Sequence, residues 1–179
     1  MNLPYLALGV LCAISMTTAS AEPHVQSHPT RGAHSIELDR SAISAAPVQS
    51  RADLESHLAD NPDSAFHRLS HGGRETFLAS LVLTEKGLGS FNYKVLEDEL
   101  TPTQIHEVLS LFGLGELVSH FKNARVETPH DAQLLRSDQS ATSSTSCLVI
   151  ENHYCSPPAT CRYENGAHCI TCNCGMDEP

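Results

Sequence analysis

Between Ser50 and Arg136 the apolar residues fall at helical intervals, broken by residues that cap or stop helices. Ser50 suits the N-cap of a short helix that carries Leu54 and Leu58 one turn apart and ends at Asp60-Asn61-Pro62. Asn61 and Pro62 then open a turn holding Phe66 and Leu69. A longer helix is predicted over 73–86, with Phe77/Leu81 and Leu78/Val82 as i,i+4 pairs and Gly87 as its stop. Phe91 and Tyr93 begin a further piece that runs through Val95, Leu96 and Leu100. The clearest local signal is Thr101-Pro102-Thr103-Gln104: Thr101 caps, Pro102 takes the first helical position, and Gln104 reaches back to close a capping box. Ile105, Val108, Leu109 and Phe112 form the buried stripe behind it, and Gly113 ends it. Leu117, Val118 and Phe121 make one more amphipathic turn, and Thr128-Pro129 starts a last one carrying Leu134 and Leu135. Together these predict a mainly α protein, with a small helical bundle over 51–136.

The flanking segments lack this pattern. Residues 22–50 contain Pro23, Pro29 and Pro47 and no aromatic residue, which predicts a disordered spacer. His24, His28 and His34 within it fit no single element and read as solvated residues, not as a chelating tract. Residues 137–146, SDQSATSSTS, are a Ser/Thr-rich flexible linker, with Arg136 before it as a candidate cleavage point. Beyond the linker, 147–179 form a cysteine-rich module in which Leu148-Val149-Ile150 suits a short strand. Asn165-Gly166 predicts a type I′ hairpin turn that sets Tyr163 opposite His168 and Cys161 opposite Ile170. In that register Cys161 and Cys169 lie on opposite faces and do not bridge.

The N-terminus changes how the cysteines are read. An apolar run from Leu6 to Met16 precedes Ala19-Ser20-Ala21, which predicts a signal peptide over 1–21 with cleavage before Glu22. The run is too short to anchor the chain in a bilayer, so no integral membrane segment is expected after cleavage. Cleavage removes Cys12 and leaves six cysteines: Cys147, Cys155, Cys161, Cys169, Cys172 and Cys174. An even count in a secreted or periplasmic chain reads as a disulfide framework. Cys172 and Cys174, one residue apart, are poor partners for each other.

The net charge is −10, and no segment is basic, which removes the electrostatic footprint of a nucleic-acid partner. The chain has no G-x-S-x-G elbow and no H-E-x-x-H, so no catalytic residue is assigned and no enzyme is expected. Glu97-Asp98-Glu99 reads as a solvated helix face, and His67 and His71 as surface histidines. The leading expectation has no cofactor and an unspecified protein or cell-surface target. The competing reading is an extracytoplasmic metal-binding or thiol-redox protein. Cys169, Cys172 and Cys174 with His168 would then hold zinc or copper, or Cys169-Ile170-Thr171-Cys172 would cycle as a CxxC pair.

His153-Tyr154-Cys155 followed by Cys161 gives Y-C-x5-C, and Cys172-Asn173-Cys174 closes the tail with C-x-C. This resembles the cysteine-rich peptide of the fulvocin C-related bacteriocins, although with fewer cysteines. The resemblance covers about residues 147–175 and implies a secreted, disulfide-stapled antibacterial module behind a longer N-terminal region. One arginine stands against four acidic residues over 147–179, so the charge favours receptor-directed action over cationic membrane disruption.

Overall fold

The computed structural model describes residues 35–136, 146–156 and 160–175, all within one compact unit, Gly32–Pro179. The leader over 1–21, His24, His28 and His34, and all of the linker but Ser146 lie outside the described residues.

The capped helices form where their side chains satisfy the first free amides. Helix α2 (Arg51–Asp60) follows β1 (Ser35–Asp39) and α1 (Arg40–Ser44), and its Ser50 hydroxyl accepts from Asp53 N at 3.2 Å. Helix α3 (His71–Ser80) precedes the strands β2 (Val82–Thr84) and β3 (Gly87–Asn92). After α4 (Lys94–Glu99), helix α5 (Pro102–Ser110) opens with the full capping box, Thr101 N donating to Gln104 Oε1 at 3.0 Å. A 3-10 turn over Gly115–His120 and helix α6 (Pro129–Leu134) complete the helical part.

The mainly α expectation is overturned. Strands β4 (Ser146–Ser156) and β5 (Thr160–Ile170) join the other three in a five-stranded antiparallel sheet, ordered β1-β4-β5-β3-β2, and the fold is mixed α/β. The hairpin expected as an appendage to a helical bundle instead supplies two of the three inner strands, with β5 at the centre. Two local readings fail for identifiable reasons. The helix placed over 73–86 ends at Ser80, whose hydroxyl donates to Phe77 O at 2.7 Å and accepts from Asn92 N at 3.0 Å. A short continuous apolar run such as Leu81-Val82-Leu83 fits a strand as well as a helix, and sheet pairing of Val82 and Leu83 decides between them. Residues 35–50, assigned to the disordered spacer, form β1 and α1 and bury Leu38, Ile43 and Val48. Their few apolar residues suffice because β1 pairs with β4, Ile36 opposite Val149 and Leu38 opposite Cys147.

The core lies between the helices and one sheet face. Phe66, Phe77, Phe91, Leu96, Ile105, Leu109 and Phe112 are buried together with Cys147, Val149, Ile170 and Cys172. Gly113, at φ +71, stops α5 where a Cβ would collide with the Ala42 carbonyl.

Candidate functional site

The cysteines sit on a ribbon that doubles back. Strands β4 and β5 pair in two stretches, Val149–Glu151 with Ile170–His168 and His153–Ser156 with Tyr163–Thr160. Between them Asn152 alone faces residues 164–167, so β5 carries a large bulge. Asn152 (φ 56) and Gly166 (φ 83) supply the left-handed backbone this needs. Gly166 N donates to Asn152 Oδ1 at 3.0 Å, and Tyr93 N donates to Gly166 O at 2.8 Å. In a straight strand, residues eight apart are about 26 Å apart. The Cα atoms of Cys161 and Cys169 are 5.9 Å apart, so the outer half of the ribbon folds over the inner half.

This corrects the hairpin register read from the sequence. Asn165-Gly166 lies within β5, and the chain reverses between Ser156 and Thr160. Tyr163 pairs with His153, not His168, and Cys161 bridges Cys169. Of the Asn-Gly pair only Gly166 takes positive φ, and the structure uses it for the bulge.

Three disulfides use all six cysteines of 147–174: Cys147–Cys172, Cys155–Cys174 and Cys161–Cys169. The first lies in the main core, whereas Cys155, Cys169 and Cys174 form a separate buried cluster with Val82 and Cys161 against it. The ligand set Cys169, Cys172, Cys174 and His168 is not brought together. Its cysteines belong to three different bridges, and alternation along β5 turns His168 toward the helices and Cys169 away from them. Cys169 and Cys172, the ends of the CxxC, are not bonded to each other. Among the described residues, the sulfurs that do converge are those of Cys161, Cys169 and Cys174, all within 4.8 Å of one another.

On the helix side, His168 lines a cleft of about 510 Å³ with Tyr93, Glu97, His120, Phe121 and Glu151 among its walls. Its ring is 2 % exposed, 4.4 Å from the Tyr93 ring centroid, 5.5 Å from Phe91 and 6.0 Å from Phe121. Among the described residues Nδ1 has no hydrogen-bond partner. Burial, aided by the neighbouring His120, pushes the imidazole pKa down to about 3, so the ring is neutral at physiological pH. Burial also pushes the Tyr93 phenol up, with Glu151 and Glu97 adding to the effect. Glu97 is not the solvated residue expected of its acidic run: it is buried and accepts from Asn123 N at 2.9 Å and Lys94 Nζ at 3.3 Å. Glu151 reaches His120 Nδ1 at 4.0 Å. No motif announced this cleft. Its members come from five separated segments, and only the sheet register places Glu151 and Phe91 on either side of His168.

His67 and His71 lie on the surface, His71 3.5 Å from Glu75 and His67 3.2 Å from Arg74. Among the described residues no helix is long and apolar enough to cross a membrane. Comparisons with protein-family models, with curated proteins and with solved structures found no match to this chain.

Proposed function

We propose that this chain is an exported, non-enzymatic binding protein whose cross-linked ribbon acts as a bacteriocin-like recognition element on a protein or cell-surface target. The observation that carries this reading is the pairing of all six cysteines of 147–174 into three bridges on one ribbon. Such exhaustive pairing is what an oxidising compartment produces, secreted or periplasmic. The folded-back end of the ribbon displays Tyr163, 74 % exposed, with the His153 ring edge-on to it at 5.9 Å. Tyrosine on a rigid support gives large contact area for little loss of side-chain freedom, which suits a recognition surface. Cys147, Val149, Ile170 and Cys172 share the core with the helices, and this supports action by the whole chain over action by a released tail.

The test is to express the full chain with export and weigh the product without reduction. The expected mass lacks residues 1–21 and six hydrogens. That material is then assayed on bacterial lawns and against cell surfaces beside Tyr163→Ala, which is expected to weaken binding at least tenfold with an unchanged melting temperature. A product that keeps its leader, or carries free thiols, overturns the reading.

A further inference from the structure

Two of the three bridges lie against each other. The sulfurs of Cys161, Cys169 and Cys174 are within 4.8 Å of one another, and Cys174 is bonded to Cys155 at 2.09 Å. Four sulfurs from two strands and the following turn therefore meet at one spot, three of them buried and Cys161 half-buried. A tetrahedral zinc thiolate has Zn–S near 2.3 Å, which sets its sulfurs about 3.8 Å apart. The present sulfurs lie close to that arrangement: Cys161, Cys169 and Cys174 are within 4.8 Å of one another, and Cys155 stands one bond beyond Cys174. Side-chain shifts below about 2 Å would bring all four to tetrahedral spacing once the sulfur–sulfur bonds open.

We propose that, with these two bridges reduced, Cys155, Cys161, Cys169 and Cys174 form a four-thiolate site for one zinc-class divalent cation. The chemistry balances with an external dithiol as reductant. Each bridge takes two electrons and two protons from one dithiol, which ends as its own disulfide. The four thiols release four protons as the cation binds, leaving a site of net charge −2. The third bridge is not needed: Cys147–Cys172 lies in the main core, on the opposite side of β5 from Cys169. His168 takes no part, since it is enclosed by Phe91, Tyr93 and Phe121. The proposal is independent of the recognition role, because it concerns the reduced form of the same ribbon.

The full chain is treated with limited dithiol without oxygen until the two ribbon bridges are open and Cys147–Cys172 is intact, freed of the dithiol, and titrated with cobalt(II) and then zinc. One equivalent of cobalt is expected, with the intense visible absorption of a tetrahedral thiolate complex, and zinc displaces it. With zinc bound, alkylation and peptide mapping are expected to find Cys155, Cys161, Cys169 and Cys174 protected until a chelator is added, while Cys147 and Cys172 remain bridged to each other. Cys161→Ser is expected to weaken zinc at least a hundredfold. Should that variant not fold, the wild-type protection pattern alone decides. Absence of metal uptake, labelling of any of the four in the zinc form, or zinc uptake only once Cys147–Cys172 has opened overturns the proposal.

Discussion

His168 is the residue at which burial and chemistry conflict most. A neutral imidazole among Phe91, Tyr93 and Phe121 is tolerable, whereas its protonated form would be charged and nearly without water. The folded pKa near 3 lies below the ordinary value of 6.5, so the unfolded chain binds the extra proton between those limits. Stability is therefore unaffected above pH 6.5 and falls below it by about 1.4 kcal/mol per pH unit for this group. Two neighbours adjust that slope in opposite directions: His120 adds repulsion when it is protonated, and Glu151 supplies a counter-charge. His168→Phe keeps the aromatic packing and removes the titration. Denaturant midpoints between pH 7 and pH 4 are expected to fall less steeply in the variant, by about 3 kcal/mol over the range. Equal slopes would mean that the ring is not buried neutral. A second residue-scale test concerns Asp131. Burial pushes its carboxyl up, but donors on Thr103, Glu127 and Thr128 outweigh burial and hold it below the usual carboxylate range. Asp131→Ala breaks the α6 capping box and the 2.6 Å bond from Thr103 Oγ1 that ties α6 to α5. A loss of about 2 kcal/mol is expected in thermal or denaturant unfolding.

At the scale of elements, what could be read from the sequence divides along the range of the interactions. The caps at Ser50, Thr101 and Thr128 act within four residues, and all three open helices where the sequence places them. The sheet depends on pairs such as Ile36 with Val149, more than a hundred residues apart, and no local pattern encodes that. Hence residues 35–50 look like spacer when considered alone, and the apolar strip Leu148-Val149-Ile150 looks like part of a free hairpin. The bulge in β5 shows a subtler limit. A type I′ turn would need positive φ at both Asn165 and Gly166, and the fold takes it only at Gly166, for the bulge. Gly166 combines φ +83 with a position where a Cβ would lie 2.7 Å from Lys94 Cγ. Gly166→Ala is expected to cost about 1–3 kcal/mol and to impair formation of the Cys161–Cys169 bridge, as read by melting and disulfide mapping. Gly72→Ala is the contrasting case. Gly72 lies in α3 with nothing within 4 Å of an added Cβ, and the change is expected to stabilise by about 0.5 kcal/mol.

Across the whole molecule, the covalent cross-links and the apolar core overlap at one place only. Cys147–Cys172 is part of the core cluster that contains Val149, Ile170 and the helix side chains, whereas the other two bridges hold the ribbon folded over itself. The loops they close span 25, 19 and 8 residues. On a chain-entropy basis they stabilise by about 3.5, 3.2 and 2.5 kcal/mol, values comparable with the net stability of an ordinary domain. The shortest loop contributes least and contains Cys161, the half-buried member of the six, so a soluble thiol reaches that bridge first. A graded series of reductant concentrations, quenched by alkylation and mapped, is therefore expected to open Cys161–Cys169 first, Cys155–Cys174 next and Cys147–Cys172 last. Circular dichroism should change little over the first two steps and collapse with the third. If Cys147–Cys172 opened first, or the spectrum collapsed with the first bridge, the ribbon rather than the shared core would be what holds the sheet and helices together.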